Sequence, residues 1–569
     1  MDKRWVIKER ADAKVTKQLS QELGISEVIT ELLIHREIDT FEKAKKFFRP
    51  ELSHLHNPFL MKDMDKAVMR LEDAIQKKQN ILVYGDYDVD GTTSVAMVYS
   101  FLKTFHNNVS YYIPDRYKEG YGISIAGIDF ASDNDISLVI ALDCGIKAID
   151  KINYANTKNI DFIICDHHRP GNELPKAIAV LDPKRSDCEY PFKELSGCGV
   201  GFKLVQAYVQ KNNINFSEIT SLLDFVAVSI AADIVPIVDE NRVLAHYGLK
   251  QLNNNPRKGF KAIIELAGLK KEITINDIVF GFAPRINAAG RMESGNSAVQ
   301  LLISDSDYGA EKSGAGIDSV NTERRTVDTA ITAEAMSMVE EDASFTNKKS
   351  TVLFNSQWHK GVVGIVASRL IEKYYRPTII LTESNGFATG SARSVKNFDV
   401  YNAIETCSDL LDQFGGHKYA AGLSLKIENL DAFKAKFENV VSETIDVNSL
   451  VPEIEVDATI AFDDIDAKFF RVLNQFAPFG PGNMAPVFIS ENIYDKGNVR
   501  IVGNKHLKMS LLQQNKKRGF GAIAFGQSDH YTAIAARQSF TSCFTIEENS
   551  WNGTTTLQLN VKDIRIEES

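Results

Sequence analysis

Residues 81–94 read ILVYGDYDVDGTTS. An apolar run meets a glycine and then three aspartates at alternate positions, Asp86, Asp88 and Asp90. A short apolar run that stops in this way predicts a buried strand opening onto a polar loop. The same pattern returns in NVSYYIPD (108–115), ISLVIALDCGI (136–146), FIICDHHRP (162–170) and AIAVLDP (177–183). Helical-looking stretches separate these runs, and alternation of strand and helix predicts a parallel sheet covered on both faces. Each run ends in an acid: Asp86, Asp115, Asp143, Asp166, Asp182. Ligands of open parallel sheets bind beyond the carboxyl ends of the strands, so these acids are expected to converge on one crevice.

At 569 residues the chain is too long for one core, and three or four units are expected. A helical segment is expected over 1–60 and the parallel-sheet α/β domain over 61–300. In SLLDFVAVSIAADIVPIVDENR (221–242) a buried helix is expected to deliver Asp233. The charged stretch 301–345 lacks a broad apolar stripe and reads as a helical connector. Its portion GAEKSGAGIDSVNTERR (309–325) is glycine-rich, so a kink or break is expected there. A smaller α/β domain follows over 346–445. Short strand-like runs with few helix signals over 450–569 predict a small β-barrel of the OB type.

The formal net charge of −10 argues against a protein that coats nucleic acid through global charge, although a local basic groove would be hidden in the sum. The six cysteines form no CxxC pair, which speaks against structural zinc or a disulfide framework. No apolar run is long enough to cross a bilayer, and MDKRWVIKERADAKV lacks a signal-peptide core. A cytoplasmic location is expected.

Three like charges as close as Asp86, Asp88 and Asp90 repel unless cations neutralise them. Alone they would read as a solvated acidic turn. A calcium loop is excluded because the twelfth position from Asp86 is Met97, where a glutamate is needed. With Asp143 ending an apolar strand, and with Asp166, His167, His168 and Asp233, the set gains meaning. Carboxylates with imidazole suit manganese, magnesium or iron better than thiolate-seeking metals. A pair of such ions activates water and takes up charge in phosphoryl transfer.

In order and spacing, GDYDVDGTTS, LDCG, DHH and AADIVP resemble the four motifs of the DHH phosphoesterase superfamily. WHKGVVGIVASRL, GSARS and FGGHKYAAG resemble its companion DHHA1 domain. PRINAAGRM (284–292) and the β-rich tail narrow the likeness to the branch that degrades single strands. The resemblance implies a 5′-to-3′ exonuclease on single-stranded DNA that uses two divalent ions, Mn2+ or Mg2+, and releases 5′-mononucleotides. It implies Asp86, Asp88, Asp90, Asp143, His167 and Asp233 as metal ligands. Asp143, the isolated acid of a central strand, is the expected bridge; His168 lies beside the ligands, near the scissile phosphate, with Asp166 behind it. Asp88, Asp143, His167 and His168 are the expected catalytic set.

For the strand itself, Ser391, Arg393, Gly415, Gly416 and His417 suit phosphate, since glycines admit backbone N–H groups and arginine matches phosphate bidentately. Arg116, Arg285, Asn287 and Arg291 are expected along the DNA path, and His359 near the nucleotide. Lys505, His506, Lys508, Lys516, Lys517 and Arg518 make a local positive stretch in the barrel, and deleting the tail from about Leu450 is expected to weaken DNA binding and its salt dependence. By resemblance, single-strand-binding protein and a helicase are expected partners of a monomer. A rival reading is a DHH/DHHA1 phosphodiesterase of short oligonucleotides or cyclic dinucleotides, which would not need the tail. A non-catalytic replication scaffold would have lost ligands that are all present here. An inorganic pyrophosphatase would lack the GGH pattern.

Overall fold

The computed structural model describes residues 3–551 and 553–567. The chain forms two compact units: Pro50–Ala335 together with Pro478–Asn483, and the segments up to Arg49, Met336–Ala477 and from Met484 onward.

In the first of these units the five apolar runs form one parallel sheet, ordered Val109–Tyr112, Asn80–Gly85, Ile136–Leu142, Asp161–Cys165, Ala179–Leu181. Strand side chains alternate between faces, and both faces here are covered. Ile81, Val83, Leu138, Ile140 and Ile163 join one core with the helices Val89–Lys103, Gly197–Lys211 and Leu223–Ala232. Leu82, Tyr84, Val139, Ala141, Phe162 and Ile164 join another with Ile128 and Ile152. Double-sided burial explains why the runs are continuously apolar.

Two consequences of this topology build the site. The strand order reverses between Asn80–Gly85 and Ile136–Leu142, and a crevice opens at such a switch point. The register also pairs Gly85 with Leu142, Leu142 with Cys165 and Cys165 with Leu181. Asp86, Asp143, Asp166 and Asp182 therefore follow in one row along the carboxyl edge, as expected. Asp115 lies three residues beyond the end of the strand Val109–Tyr112 and accepts instead from Tyr117 and Lys118 N–H groups of its own turn.

The glycine-rich connector does not break. Asp307–Glu341 is one continuous helix of 35 residues. A Cβ on Gly314 would lie 3.1 Å from Leu266 Cδ1 and 3.3 Å from Ala262 Cβ, so absence of a side chain lets the helix lie close on its neighbours. That packing offsets a propensity penalty of about 1 kcal/mol per glycine.

In the other unit, Gln413–His417, Ala420–Lys426, Phe387–Arg393, Thr378–Ser384 and Thr351–Phe354 form a mixed sheet in that order. The tail is a barrel: Phe488–Asp495 pairs both Phe540–Trp551 and His506–Gln513, which closes the sheet. The start of the chain groups with this unit. Arg4–Ile7 pairs in parallel with Glu453–Val456, Trp5 Nε1 donates to Asp563 at 2.8 Å, and Phe47 and Phe48 meet Phe476 edge-on. A cut at Leu450 would strip these partners from the N-terminal segment, so substitutions are the cleaner probe of the barrel. Among the described residues no helix is long and apolar enough to cross a membrane, and all six cysteines are free and buried.

Candidate metal centre

The row of acids is shaped by local backbone needs. Asp88 caps the helix Val89–Lys103, its Oδ1 accepting from Gly91 N at 3.0 Å. A carboxylate there also faces the positive helix end. Asp90, in the first turn, reaches a second helix start: it accepts from Gly197 N at 2.7 Å, Cys198 N at 2.8 Å and Ser229 Oγ at 2.7 Å. Asp86 is held by Tyr87 N at 2.6 Å and Gly122 N at 2.9 Å. Burial, reinforced by Asp88, pushes its carboxyl up to about 8.

Asp143 is the most constrained residue of the row. Its φ is +58°, a left-handed conformation rare outside glycine and tolerated only where the surroundings enforce it. It is 1% exposed, and its Oδ1 has no hydrogen-bond partner. Gly197 permits this position, since a Cβ there would lie 2.6 Å from Asp143 Cβ. Burial, then the charges of Asp90 and Asp88, hold the Asp143 carboxyl well above the usual range.

His167 faces that orphaned oxygen. Its Nδ1 lies 3.0 Å from the Leu195 carbonyl, which can only accept, so Nδ1 carries the proton and Nε2 the lone pair. Burial lowers its pKa and favours the neutral ligand form. Nε2 stands 3.2 Å from Asp143 Oδ1, 3.6 Å from Asp233 Oδ2 and 3.7 Å from Asp90 Oδ2. Lone pairs facing one another at such distances are reconciled only by a cation, a proton or a metal ion. Two sets of ligand atoms thus meet at His167: Asp143, His167, His168 and Asp90, His167, Asp233. The donors are carboxylate and imidazole, a set that fits Mn2+ or Mg2+. The ligand atoms of Asp86 and Asp88 fall outside these two sets, although the charge of Asp88 bears on Asp143 and Asp233.

Asp166 explains why the strand ends on Asp-His-His. Its Oδ1 accepts from His167 N, His168 N and His168 Nδ1 at 2.8, 3.0 and 2.7 Å, and its Oδ2 from Ile146 N at 2.8 Å. Burial opposes charge on His168, but the Asp166 hydrogen bond and charge outweigh it and raise that imidazole to about 9. Outer partners of this kind support metal affinity or activity by 10–100-fold. Asp166→Asn is accordingly expected to weaken Mn2+ binding by about 10–100-fold, read by calorimetric titration. Unaltered binding would show that the four bonds to Asp166 serve the fold alone.

The nucleic-acid candidates fare unequally. Arg116 lies over the Tyr87 ring at 5.0 Å, and its charge bears on Asp86. Arg291 is half-buried with its charge bearing on Asp88, and Asn287 lies one turn earlier on the same helix face. Arg285 is different: its guanidinium binds Asp318 at 2.8 Å and the carbonyls of Gly281 and Leu266 at 2.8 and 3.3 Å. These bonds make it a helix clamp, with its guanidinium engaged within the fold. Its sequence neighbours Asn287 and Arg291 share a face that Arg285, two and six residues away, does not.

In the other unit, cross-strand register aligns Gly415 with Gly422 and Ser391, and His417 with Ala420 and Arg393. These positions share one sheet face, leaving an open stripe flanked by a serine, an arginine and an exposed histidine. Arg393 Nη1 donates to Ser391 Oγ at 2.8 Å. Gly416, at φ +142°, admits no side chain, since a Cβ would sit 2.4 Å from the Ala420 carbonyl oxygen. Gly364 brings the start of the helix Val363–Tyr374 against the same pair, its Cβ position 3.1 Å from Ser391 Oγ. His359 Nδ1 accepts from Gly361 N at 3.1 Å.

Sequence reading missed Tyr121, whose hydroxyl is 3.3 Å from His168 Nε2, and the Leu195–Gly197 segment that orients His167, holds Asp90 and makes room for Asp143. The glycines of SGCGVG were the available signal for close approach.

Comparison with known proteins agrees with this architecture. The pattern described as the DHH family, N-terminal domain, matches residues 80–230, the DHHA1 domain 347–443 and the RecJ OB domain 456–563. The single-stranded-DNA-specific exonuclease RecJ of Bacillus subtilis is 36% identical over 99% of this chain and 71% of its own length. The chain belongs to the RecJ family. RecJ of Escherichia coli is 30% identical over 88% of this chain and 90% of its own. RecJ of Thermus thermophilus, solved in complex with Mn2+, superimposes with a TM-score of 0.85 at 26% identity, covering 100% of this chain and 80% of that one. The same RecJ has also been solved with Mg2+. Those metals are the ones that the carboxylate and imidazole donors of this RecJ-family site favour.

Proposed function

We propose that this chain is a metal-dependent, single-stranded-DNA-specific exonuclease that acts from the 5′ end and releases 5′-mononucleotides. The observation that carries the reading is the His167 Nε2 lone pair facing the orphaned Asp143 Oδ1 at 3.2 Å, within a RecJ-family fold. Asp86, Asp88, Asp90, Asp143, His167 and Asp233 would hold divalent ions, with Asp90, Asp143, His167 and Asp233 offering the ligand atoms that already lie together. When bound, Mn2+ or Mg2+ supplies an activated water and neutralises charge developing on the leaving oxygen.

The chain's own residues position and balance charge. Leu195 fixes the His167 tautomer, and Asp166 keeps His168 protonated beside the scissile phosphate. Arg116, Asn287 and Arg291 line the path of the strand. Ser391, Arg393, Gly415, Gly416 and His417 take a backbone phosphate, with His359 near the nucleotide. The enzyme acts as a cytoplasmic monomer in DNA repair and recombination, beside single-strand-binding protein and a helicase.

The test is digestion of end-labelled strands in Mn2+. A 5′ label is expected to leave first as mononucleotide, a 3′ label to report progressive shortening, and duplex to resist. Loss from the 3′ end, or activity confined to dinucleotides, would overturn the reading.

The barrel's part is tested separately. Lys505, Lys508, Lys516 and Lys517 are exposed. Replacing all four by alanine is expected to weaken single-strand binding and to lower the log–log salt slope by about 0.7 for each phosphate no longer neutralised. Fluorescence anisotropy across a salt series reads both. An unchanged slope would remove these lysines from the interface.

A further inference from the structure

Asp233 ends the helix Leu223–Ala232, and the turn after it is held in an unusual way. Ile234 has φ +60° and is 63% exposed. A β-branched residue in the left-handed region persists only when the chain on either side is fixed. Nothing local explains the fixing, since Ile234 itself is not packed in a core.

Two ties do. From one side, buried Asn241 donates through Nδ2 to the Pro236 carbonyl at 3.0 Å and the Glu194 carbonyl at 2.6 Å. That staples the turn to the segment whose next carbonyl, of Leu195, orients His167. From the other side comes Pro478–Asn483, a hexapeptide from far downstream that belongs to this unit by its contacts. Pro481 O accepts from Ile237 N at 2.7 Å. Gly480 abuts Ile237, where a Cβ would lie 2.5 Å from Cδ1. Gly482, at φ +73°, abuts Val238 and Pro236, where a Cβ would lie 3.0 Å from Val238 Cγ1 and 3.4 Å from Pro236 Cβ.

The hexapeptide is itself rigid. Gly480 and Asn483 exchange two backbone hydrogen bonds at 3.0 and 2.8 Å, and buried Asn483 donates through Nδ2 to the Pro478 carbonyl at 2.9 Å. Its two glycines are needed for contact with the turn, and its two prolines limit its alternatives.

We propose that Pro478–Asn483 is a positioning element of the metal centre: it latches the Asp233–Val238 turn and so sets the affinity of the Asp233 side of the site for divalent cations. The proposal rests on the reading of Asp233 as a metal ligand. The latch touches neither cation nor nucleic acid; it acts through the backbone of Ile237 and the packing of Pro236 and Val238.

The test uses the full-length protein and Mn2+ alone. Gly480→Val places a branched side chain against Ile237 without demanding a new backbone conformation at Gly480. It is expected to weaken Mn2+ binding by about 10–100-fold, as loss of outer support does. Crowding against buried Ile237 is expected to lower the melting temperature of the metal-free protein modestly, while the KM for single strands stays put and kcat at low Mn2+ falls and is restored by excess Mn2+. A merely structural role would lower the melting temperature while leaving the Mn2+ affinity of the folded protein and kcat at low Mn2+ unchanged. Should Gly480→Val fail to fold, Gly482→Ala adds one methyl against Val238 and is expected to shift Mn2+ affinity in the same direction. Asp233→Asn serves as the reference. If Asp233→Asn weakens Mn2+ and a folded latch variant does not, the latch is overturned and the metal reading stands. If Asp233→Asn leaves Mn2+ binding intact, the metal reading falls and takes the latch with it.

Discussion

Asp143→Asn is expected to lower single-strand degradation in Mn2+ by on the order of 10³-fold or more while leaving the protein folded. Asparagine keeps the shape but removes the charge that faces His167 Nε2, and its neutral amide would be a much weaker ligand for a divalent cation than a carboxylate. A factor of 10³ is about 4 kcal/mol of transition-state stabilisation. The fold is expected to survive because the charge is not holding it together. Asp143 Oδ1 has no donor, and the neighbouring acids Asp90 and Asp88 repel it. The metal-free variant should therefore melt no lower than the parent, which separates loss of chemistry from loss of structure. Single-turnover digestion of a 5′-labelled strand, paired with a melting curve, reads both. Activity equal to the parent's would refute Asp143 as the central ligand.

Mn2+ is expected to stabilise the protein strongly, and more at pH 8 than at pH 5.5. Burial with neighbouring acids raises the folded-state carboxyls of Asp86 and Asp233 to about 8, and holds that of Asp143 well above its ordinary range. Unfolded aspartates titrate near 3.9, so between about pH 4 and pH 8 the folded site binds more protons than the unfolded chain. Stability of the metal-free protein then falls as pH rises through that window. His168, raised to about 9, pulls the same way, its contribution being lost as pH climbs from about 6.5 to 9. Asp166 is depressed, so its contribution is lost only on acidification below the carboxylate range. A divalent cation takes the place of the protons. At about a hundred times its dissociation constant it adds about 2.7 kcal/mol, a melting shift on the order of 5 °C. Protons compete for the same oxygens, so the shift shrinks towards pH 5.5. Thermal melts at several pH values, with Mn2+ and with a chelator, measure it. Equal shifts at both ends of the range would mean that the acids do not act as one cation site.

Much of this was readable from local pattern. Each core strand of the sheet announces itself as an apolar run, because helices cover both faces and no polar residue fits on either. Each ends on its acid, because the backbone leaves the core there. The helix before Asp233 reads as buried for the same reason, and the DHHA1 and barrel regions follow from motif and strand signals. The bonds of Arg285 were not legible, because a guanidinium that clamps a helix and one that awaits phosphate look the same in sequence; only the position of Asp318 shows the clamp. The glycine-rich connector was misread because propensity counts the backbone penalty of Gly314 and omits the close packing on Ala262 and Leu266 that offsets it. The start of the chain reads as a helical segment on its own, whereas Arg4–Ile7 finds its strand partner at Glu453–Val456, far along the sequence.

By itself, then, the sequence determined that a row of acids stands at strand ends, since periodicity and burial are local properties. What only the tertiary structure decided is how they are held. The left-handed turn at Asp143 over Gly197, the tautomer of His167 set by Leu195, and the grip of Pro478–Asn483 on the turn after Asp233 all join segments distant in sequence. Such contacts have no periodicity to betray them; they exist once the sheet has brought its ends together, and they decide whether a row of acids can bind a cation.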